Sequence, residues 1–186
     1  MTKRYTFGIA TAILMMAALA VAPAQAEVIA ETVEFEAYLG AYSPGPDVLD
    51  SGATGGIRVG YNITQRFNFT GELGFISTDG EKSRRGRTAD VDVDWVVTDF
   101  SFAWNIRPNK KFGITLYAGP GYAFASGRTG DLGDDSFTFH GGVGCKWDLS
   151  DSFYLRLDGR LRGFESRNDD KTDREITLGI GWKFGG

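Results

Sequence analysis

Apolar and polar positions alternate along most of this chain. From Phe112 the split is complete. Phe112, Ile114, Leu116, Ala118, Pro120, Tyr122 and Phe124 share one parity, and Gly113, Thr115, Tyr117, Gly119, Gly121 and Ala123 the other. A period of two belongs to a strand whose two faces meet different surroundings, not to a helix. The same period runs through Val33-Phe35-Ala37-Leu39, Ile57-Val59-Tyr61-Ile63, Phe67-Phe69-Gly71-Leu73-Phe75 and Phe137-Phe139-Gly141-Val143-Cys145-Trp147. It returns in Phe153-Leu155-Leu157-Gly159-Leu161 and in Ile176-Leu178-Ile180-Trp182-Phe184. One segment mixes two phases. Val91, Val93, Trp95 and Val97 take one parity, then Phe100, Phe102, Trp104 and Ile106 the other. Either a bulge shifts the phase near Thr98, or one long strand extends past the apolar band and carries Asp90, Asp92 and Asp94 beyond it. The second reading is preferred, because a strand can outrun the surface it packs on.

Eight strands follow, and the connections between them alternate in length. Thr64-Gln65-Arg66, Arg107 to Lys111 and Ser150-Asp151-Ser152 are short. Ser43 to Ala53, Ser77 to Ala89, Gly127 to Asp135 and Glu165 to Asp173 are longer and rich in Gly, Asp, Ser and Arg. Short turns at one end and long loops at the other are the habit of a transmembrane β-barrel.

The first residues follow a different rule. Lys3 and Arg4 precede an apolar run from Phe7 to Ala22, then Pro23 and Ala24-Gln25-Ala26. A charged start, a short apolar core and an A-x-A site predict a signal peptide over 1–26, removed to leave a single barrel domain over 27–186. Export makes any later membrane role one for strands, since no later stretch is apolar enough for a spanning helix. Of 20 basic residues, removing Lys3 and Arg4 leaves 18 against 24 acidic ones, a formal charge of −6. No global basic balance invites nucleic acid. Cys145 is the sole cysteine, so no intrachain disulfide forms.

Composition of the two faces decides between a soluble barrel and a membrane barrel. The second face carries Glu34, Glu36, Arg58, Asn62, Asn68, Glu72, Asn105, His140, Lys146, Arg156, Asp158, Arg160, Arg162, Glu175 and Lys183, with many glycines. The first carries most of the rings. Eight strands leave an interior just wide enough for side chains. Gly, Thr and paired charges suit that space and the rings suit the outside. The expected fold is therefore all-β: an eight-stranded antiparallel up-and-down transmembrane barrel with its apolar face turned outward.

The order of several motifs carries a resemblance. Gly56-Ile57-Arg58-Val59-Gly60-Tyr61-Asn62-Ile63 resembles the second strand of OmpA-like barrel domains, and Leu116-Tyr117-Ala118-Gly119-Pro120-Gly121-Tyr122-Ala123 a middle one. The run from Gly141 to Trp147 through Leu149-Ser150-Asp151 to Leu155-Arg156-Leu157-Asp158 is similar to that family's late hairpin. Gly179-Ile180-Gly181-Trp182-Lys183-Phe184 is similar to the terminal-strand signal, although Gly185-Gly186 follow the aromatic end. The resemblance implies a small protein of the Gram-negative outer membrane. Its partners would be outer membrane lipids and lipopolysaccharide, with periplasmic chaperones and the assembly machinery during insertion. Pro120 removes one ladder donor in mid-strand, which predicts a bulge or local break there.

Candidate chemistry is sparse. Glu36, Arg58, Glu72, Arg156, Arg160 and Lys183 are expected to form a paired network that plugs the lumen, because an unpaired buried charge is very costly. A narrow ion path through the same residues, making a minor pore, is the alternative. His140 is the single histidine and faces inward. As a general base it would suit a lipid A-modifying barrel enzyme, yet no His-x-Ser arrangement is present. Ser101 and Ser136 have no spacing that pairs them with it. Packing of the interior is the preferred role, so no catalytic residue, metal or cofactor is assigned. On the second long loop Lys82, Arg84, Arg85 and Arg87 form a basic cluster suited to phosphates or a host surface. Asp131, Asp134, Asp135, Asp169, Asp170 and Asp173 crowd the last two loops without a calcium-loop spacing. The expected function is non-enzymatic: a barrel with a plugged polar lumen and four surface loops in a structural or adhesive role. A lipid A-modifying enzyme is the runner-up.

Overall fold

A computed structural model describes residues 30–45, 50–84, 87–106, 111–126, 135–165 and 172–185, without the side chains of 79–93 and 126. The expected signal peptide, 1–26, lies outside the described residues. Eight strands follow one another: β1 (Val33–Ser43), β2 (Gly52–Asn62), β3 (Phe67–Arg84), β4 (Arg87–Ile106), β5 (Phe112–Ser126), β6 (Ser136–Asp148), β7 (Phe153–Phe164) and β8 (Asp173–Phe184). Each pairs antiparallel with its sequence neighbour, and β1 closes the barrel on β8 from Val33↔Phe184 to Ser43↔Arg174. Closure leaves no edge. That matters in hydrocarbon, where an unpaired N–H or C=O has no water to bond.

Alternation sorts the side chains as the sequence predicts. Leu39 is 68 % exposed, Phe139 62 % and Ile176 63 %, whereas Glu36 and Asp158 are 1 % and Arg58 3 % exposed. An apolar exterior around a charged interior is the inverse of a soluble barrel, and its surroundings must be lipid. Rings mark the end with the short turns, where Phe67 stacks on Phe102 at 5.4 Å and Phe153 meets Trp182 edge-on at 5.6 Å.

One expectation changes in detail, and two open alternatives are decided. The segment Ser77 to Ala89 is mostly ladder, not loop. Pairs continue from Ser77↔Asp94 to Arg84↔Arg87, so β3 and β4 run on as a two-stranded ribbon beyond their neighbours. No bulge interrupts β4, whose register against β3 is unbroken through Leu73↔Thr98. Trp95 and Val97 consequently point inward with Asp99 while Val96 and Phe100 point outward. Pro120 produces a local break and no bulge: β4 pairs Asp99 with Gly121 and next Phe102 with Ala118, in the same register.

The interior also holds more rings than expected. Tyr38, Tyr42, Trp95, Tyr117 and Tyr154 are all buried. Glycines on facing strands make their room. A Cβ at Gly142 would stand 2.6 Å from the Tyr117 hydroxyl, so the ring fills the place a side chain would take. Near the loop end Tyr42, Ile76, Trp95, Val97 and Ala123 form an apolar cluster, with Ala125 and Phe164 packed against it.

Candidate functional site

The interior is stacked in layers from the turn end to the loop end. At the turn end Lys146 Nζ lies 2.5 Å from Glu34 Oε1, which also accepts from Asn62 at 2.8 Å. Lys183 Nζ lies 2.7 Å from Asp148 Oδ1. These two pairs stand apart from the larger network above. Lys183 is thus placed with Asp148 rather than with the other five residues of the expected set. Lys183 on β8 and Asp148 on β6 thus meet over the intervening β7, where Tyr154 fills the space over Gly181.

Above them Arg58 is the hub. Its Nη1 donates to Glu36 at 2.6 Å and to Asp158 at 2.7 Å, and its Nε donates to Glu72 at 2.7 Å. Glu36↔Arg58 and Arg58↔Glu72 are direct cross-strand partners, so these contacts follow from register alone. Arg160 reaches Glu72 from the far wall in a two-pronged contact, 2.8 and 2.6 Å, and Tyr38 donates to the same carboxylate at 2.6 Å. Arg156 donates to Asp158 at 2.9 Å. A fork facing a carboxylate is the strong form of this interaction. The guanidinium of Arg58 also lies 4.0 Å above the Tyr38 ring.

The next layer brings in residues that sequence reasoning left unassigned. Arg162 grips Asp99 with both Nη atoms, at 2.9 and 2.7 Å, and donates through Nε to Glu175 at 2.8 Å. Arg160 adds a contact to Asp99 at 3.1 Å. Ser101 Oγ lies 2.7 Å from His140 Nε2, and Asp99 Oδ1 lies 3.5 Å from His140 Nδ1. The expectation that Ser101 has no route to His140 is therefore corrected. Gly119 lies between them: it faces His140 on β6, and the β4 register sets it opposite Ser101. With no side chain at Gly119, Ser101 and His140 meet across it. Ser136 stays apart, its hydroxyl donating to the Phe137 carbonyl at 3.2 Å.

Serine, histidine and aspartate in that sequence are the order of an acyl-transfer triad. The surroundings differ from those of a working one. Ser101 is 6 % exposed, and the space beside it, between Thr70, Tyr117 and Arg160, measures about 10 Å³, room for about one water molecule. Asp99 is held by two arginines and does not hydrogen-bond His140 Nδ1.

At the loop end Tyr42 donates to Asp173, which also accepts from the Gly45 amide at 2.7 Å. Asp135 accepts from the Ala125 amide at 2.9 Å. Both carboxylates thus tie loop ends to strands. Asp131, Asp134, Asp169 and Asp170 lie outside the described residues. Among the described residues no cluster has the donors of a metal site. Of the basic cluster, Lys82, Arg84 and Arg87 have described backbone at the tip of the β3–β4 ribbon, but their side chains, and all of Arg85, lie outside the described residues.

A family model, the outer membrane protein beta-barrel domain, matches residues 11–184. No curated protein matches the chain. Several solved structures share the architecture. OprG from Pseudomonas aeruginosa is similar at a TM-score of 0.64 and 11 % identity, over 88 % of this chain and 100 % of that one. Neisserial surface protein A aligns at 0.57 and 16 %, covering 82 % and 96 %. Ail of Yersinia pestis, solved with the heparin analogue sucrose octasulfate, aligns at 0.55 and 15 %, covering 84 % and 99 %. At such identities the likeness concerns the fold.

Proposed function

The chain belongs to the outer membrane protein beta-barrel domain family, and from that membership we propose a non-enzymatic barrel with an interior closed by ion pairs and four outer loops in a structural or adhesive role. Its place is the outer membrane of a Gram-negative cell, with lipid around its apolar belt. Residues 1–26 serve as the signal peptide in this reading, and periplasmic chaperones and the assembly machinery deliver the terminal strand. The observation that carries it is the interior itself. Each of Arg58, Arg156, Arg160 and Arg162 has a carboxylate within 2.9 Å. Trp95 and Tyr42 cover the loop end above them. Pairing of this kind offsets the desolvation of buried charge and leaves little room for solvent.

One observation favours the enzymatic alternative, the short contact between Ser101 and His140. Burial and the engagement of Asp99 by arginines weigh against it. The deciding experiment is mass analysis of lipid A from cells with and without the protein. Unchanged lipid A is expected. Loss of an acyl chain that disappears in His140→Ala overturns the non-enzymatic reading. For the loops, the sulfated sugar bound by Ail suggests a polyanion as the ligand of Lys82, Arg84, Arg85 and Arg87. Charge reversal at Arg84 and Arg85 is expected to abolish binding of cells to heparin; unchanged binding removes that assignment.

A further inference from the structure

We propose that the outward face of β1, β2 and β8 holds one lipopolysaccharide molecule, an acyl chain in an apolar groove and a lipid A phosphate on Arg174. The proposal rests on the outer membrane reading and adds a defined lipid site to it.

The groove comes from an uneven barrel wall. Outward positions on β3 to β6 carry rings, among them Phe69, Phe100, Phe102, Phe124 and Phe139. Around β1 the rows are low. Ala37 lies between Ile57 on β2 and Ile180 on β8, and Ala41 between Ala53 and Ile176. A one-carbon side chain between branched aliphatics leaves a trough. Its volume is about 1140 Å³, with Ala37 in the floor and Leu39, Ile57, Leu157, Ile176 and Leu178 as walls. Hydrocarbon is the chemistry that fits such a lining.

The upper end of the trough is cationic. Arg174 is exposed on the same outward face as Ile176, two residues further toward the loops, and pairs across the sheet with Ser43. No carboxylate among the described residues pairs with it. It is also the single exposed cation at the loop end among the described side chains. Beside it a pocket of about 380 Å³ is lined by Ser43 and Thr172, which add hydroxyls to the guanidinium. A phosphate oxygen pair matches that set of donors.

Depth agrees with one leaflet. Ile180 to Arg174 spans six residues, about 20 Å along a strand and about 15 Å of depth at a tilt near 40°. That is half of a hydrocarbon core of about 30 Å. The groove thus runs from mid-membrane to the headgroup level on the side of the long loops, the outer leaflet, where the lipid is lipopolysaccharide.

Native mass spectrometry of the full chain, extracted from outer membranes in mild detergent, tests this. Added lipid A and its dephosphorylated form are the probes. Wild type is expected to retain one phosphorylated lipid and to release the dephosphorylated one at least about tenfold more readily. Arg174→Gln should lose that preference, Ala37→Trp should retain neither form, and Arg66→Gln on a short turn should behave as wild type. Equal retention of both lipids by wild type, or unchanged preference in Arg174→Gln, overturns the proposal. So does a mass of two chains with no lipid, which would make the groove a contact between copies. Heat-modifiable gel mobility of each variant reports the barrel separately, so loss of the lipid site is distinguishable from loss of the fold.

Discussion

Truncating Arg58 to alanine tests the interior network most severely. Arg58 is 3 % exposed and donates to Glu36, Glu72 and Asp158 at 2.6–2.7 Å. Its three carboxylates are not equally dependent on it. Glu72 keeps Arg160, and Asp158 keeps Arg156. Glu36 pairs with no other cation among the described residues. Arg58→Ala therefore leaves one fully buried carboxylate without its charge partner, a change that costs about 3–5 kcal/mol. Reversible unfolding in urea, with the barrel in lipid vesicles, measures it. For an m-value of about 1–3 kcal/mol/M the midpoint should fall by at least about 1 M. Neutralising the stranded group in Arg58→Ala/Glu36→Gln should return about 1–3 kcal/mol of the loss, which a double-mutant cycle isolates. A loss within about 1 kcal/mol for the single variant would refute the reasoning. It would mean that these charges are solvated and paired no more strongly than exposed ones.

Other outcomes follow from the same packing. Trp95→Ala should cost about 3–5 kcal/mol by urea unfolding, since the ring is 2 % exposed in the apolar cluster. Gly142→Ala should destabilise by about 1–3 kcal/mol, because its Cβ would meet Tyr117 and the Gly159 carbonyl. Gly159→Ala, whose Cβ meets nothing within 4 Å, should change stability by less than about 0.5 kcal/mol. A fluorophosphonate probe applied to the folded barrel should leave Ser101 unlabelled; labelling that requires His140 would assign it as a nucleophile.

Much of this architecture is legible in the sequence, for a definite reason. The period of two is set by geometry, and inside and outside differ so sharply in polarity that parity alone assigns Glu36, Arg58 and Glu72 to the interior. Their contacts follow because Glu36 and Glu72 flank Arg58 across two successive hairpins. Contacts spanning non-adjacent strands are harder to read. Ser101 and His140 lie 39 residues apart on β4 and β6, and only the registers on both sides of Gly119 align them. Counting the residues between Ile106 and Phe112 supplies the first of those registers. Parity puts Lys183 on the inner face but says nothing of its layer, which stagger around the closed barrel sets beside Asp148. The β3–β4 ribbon was hidden by its composition: Gly, Asp and Ser suggest a loop, yet the ladder to Arg84↔Arg87 uses backbone groups common to all of them. Trp95 is the instructive ring. Its parity matched Asp99 all along, and the unshifted strand places it inside.

The central claim is that this outer membrane barrel is closed by its own charges. Current through the purified wild-type protein in a planar lipid bilayer tests it most directly. Closure predicts no sustained porin-sized conductance in the wild type, because the ion pairs at Arg58, Arg160 and Arg162 and the cluster around Trp95 occupy the lumen. A steady, voltage-independent current of porin scale through the wild-type barrel would contradict it.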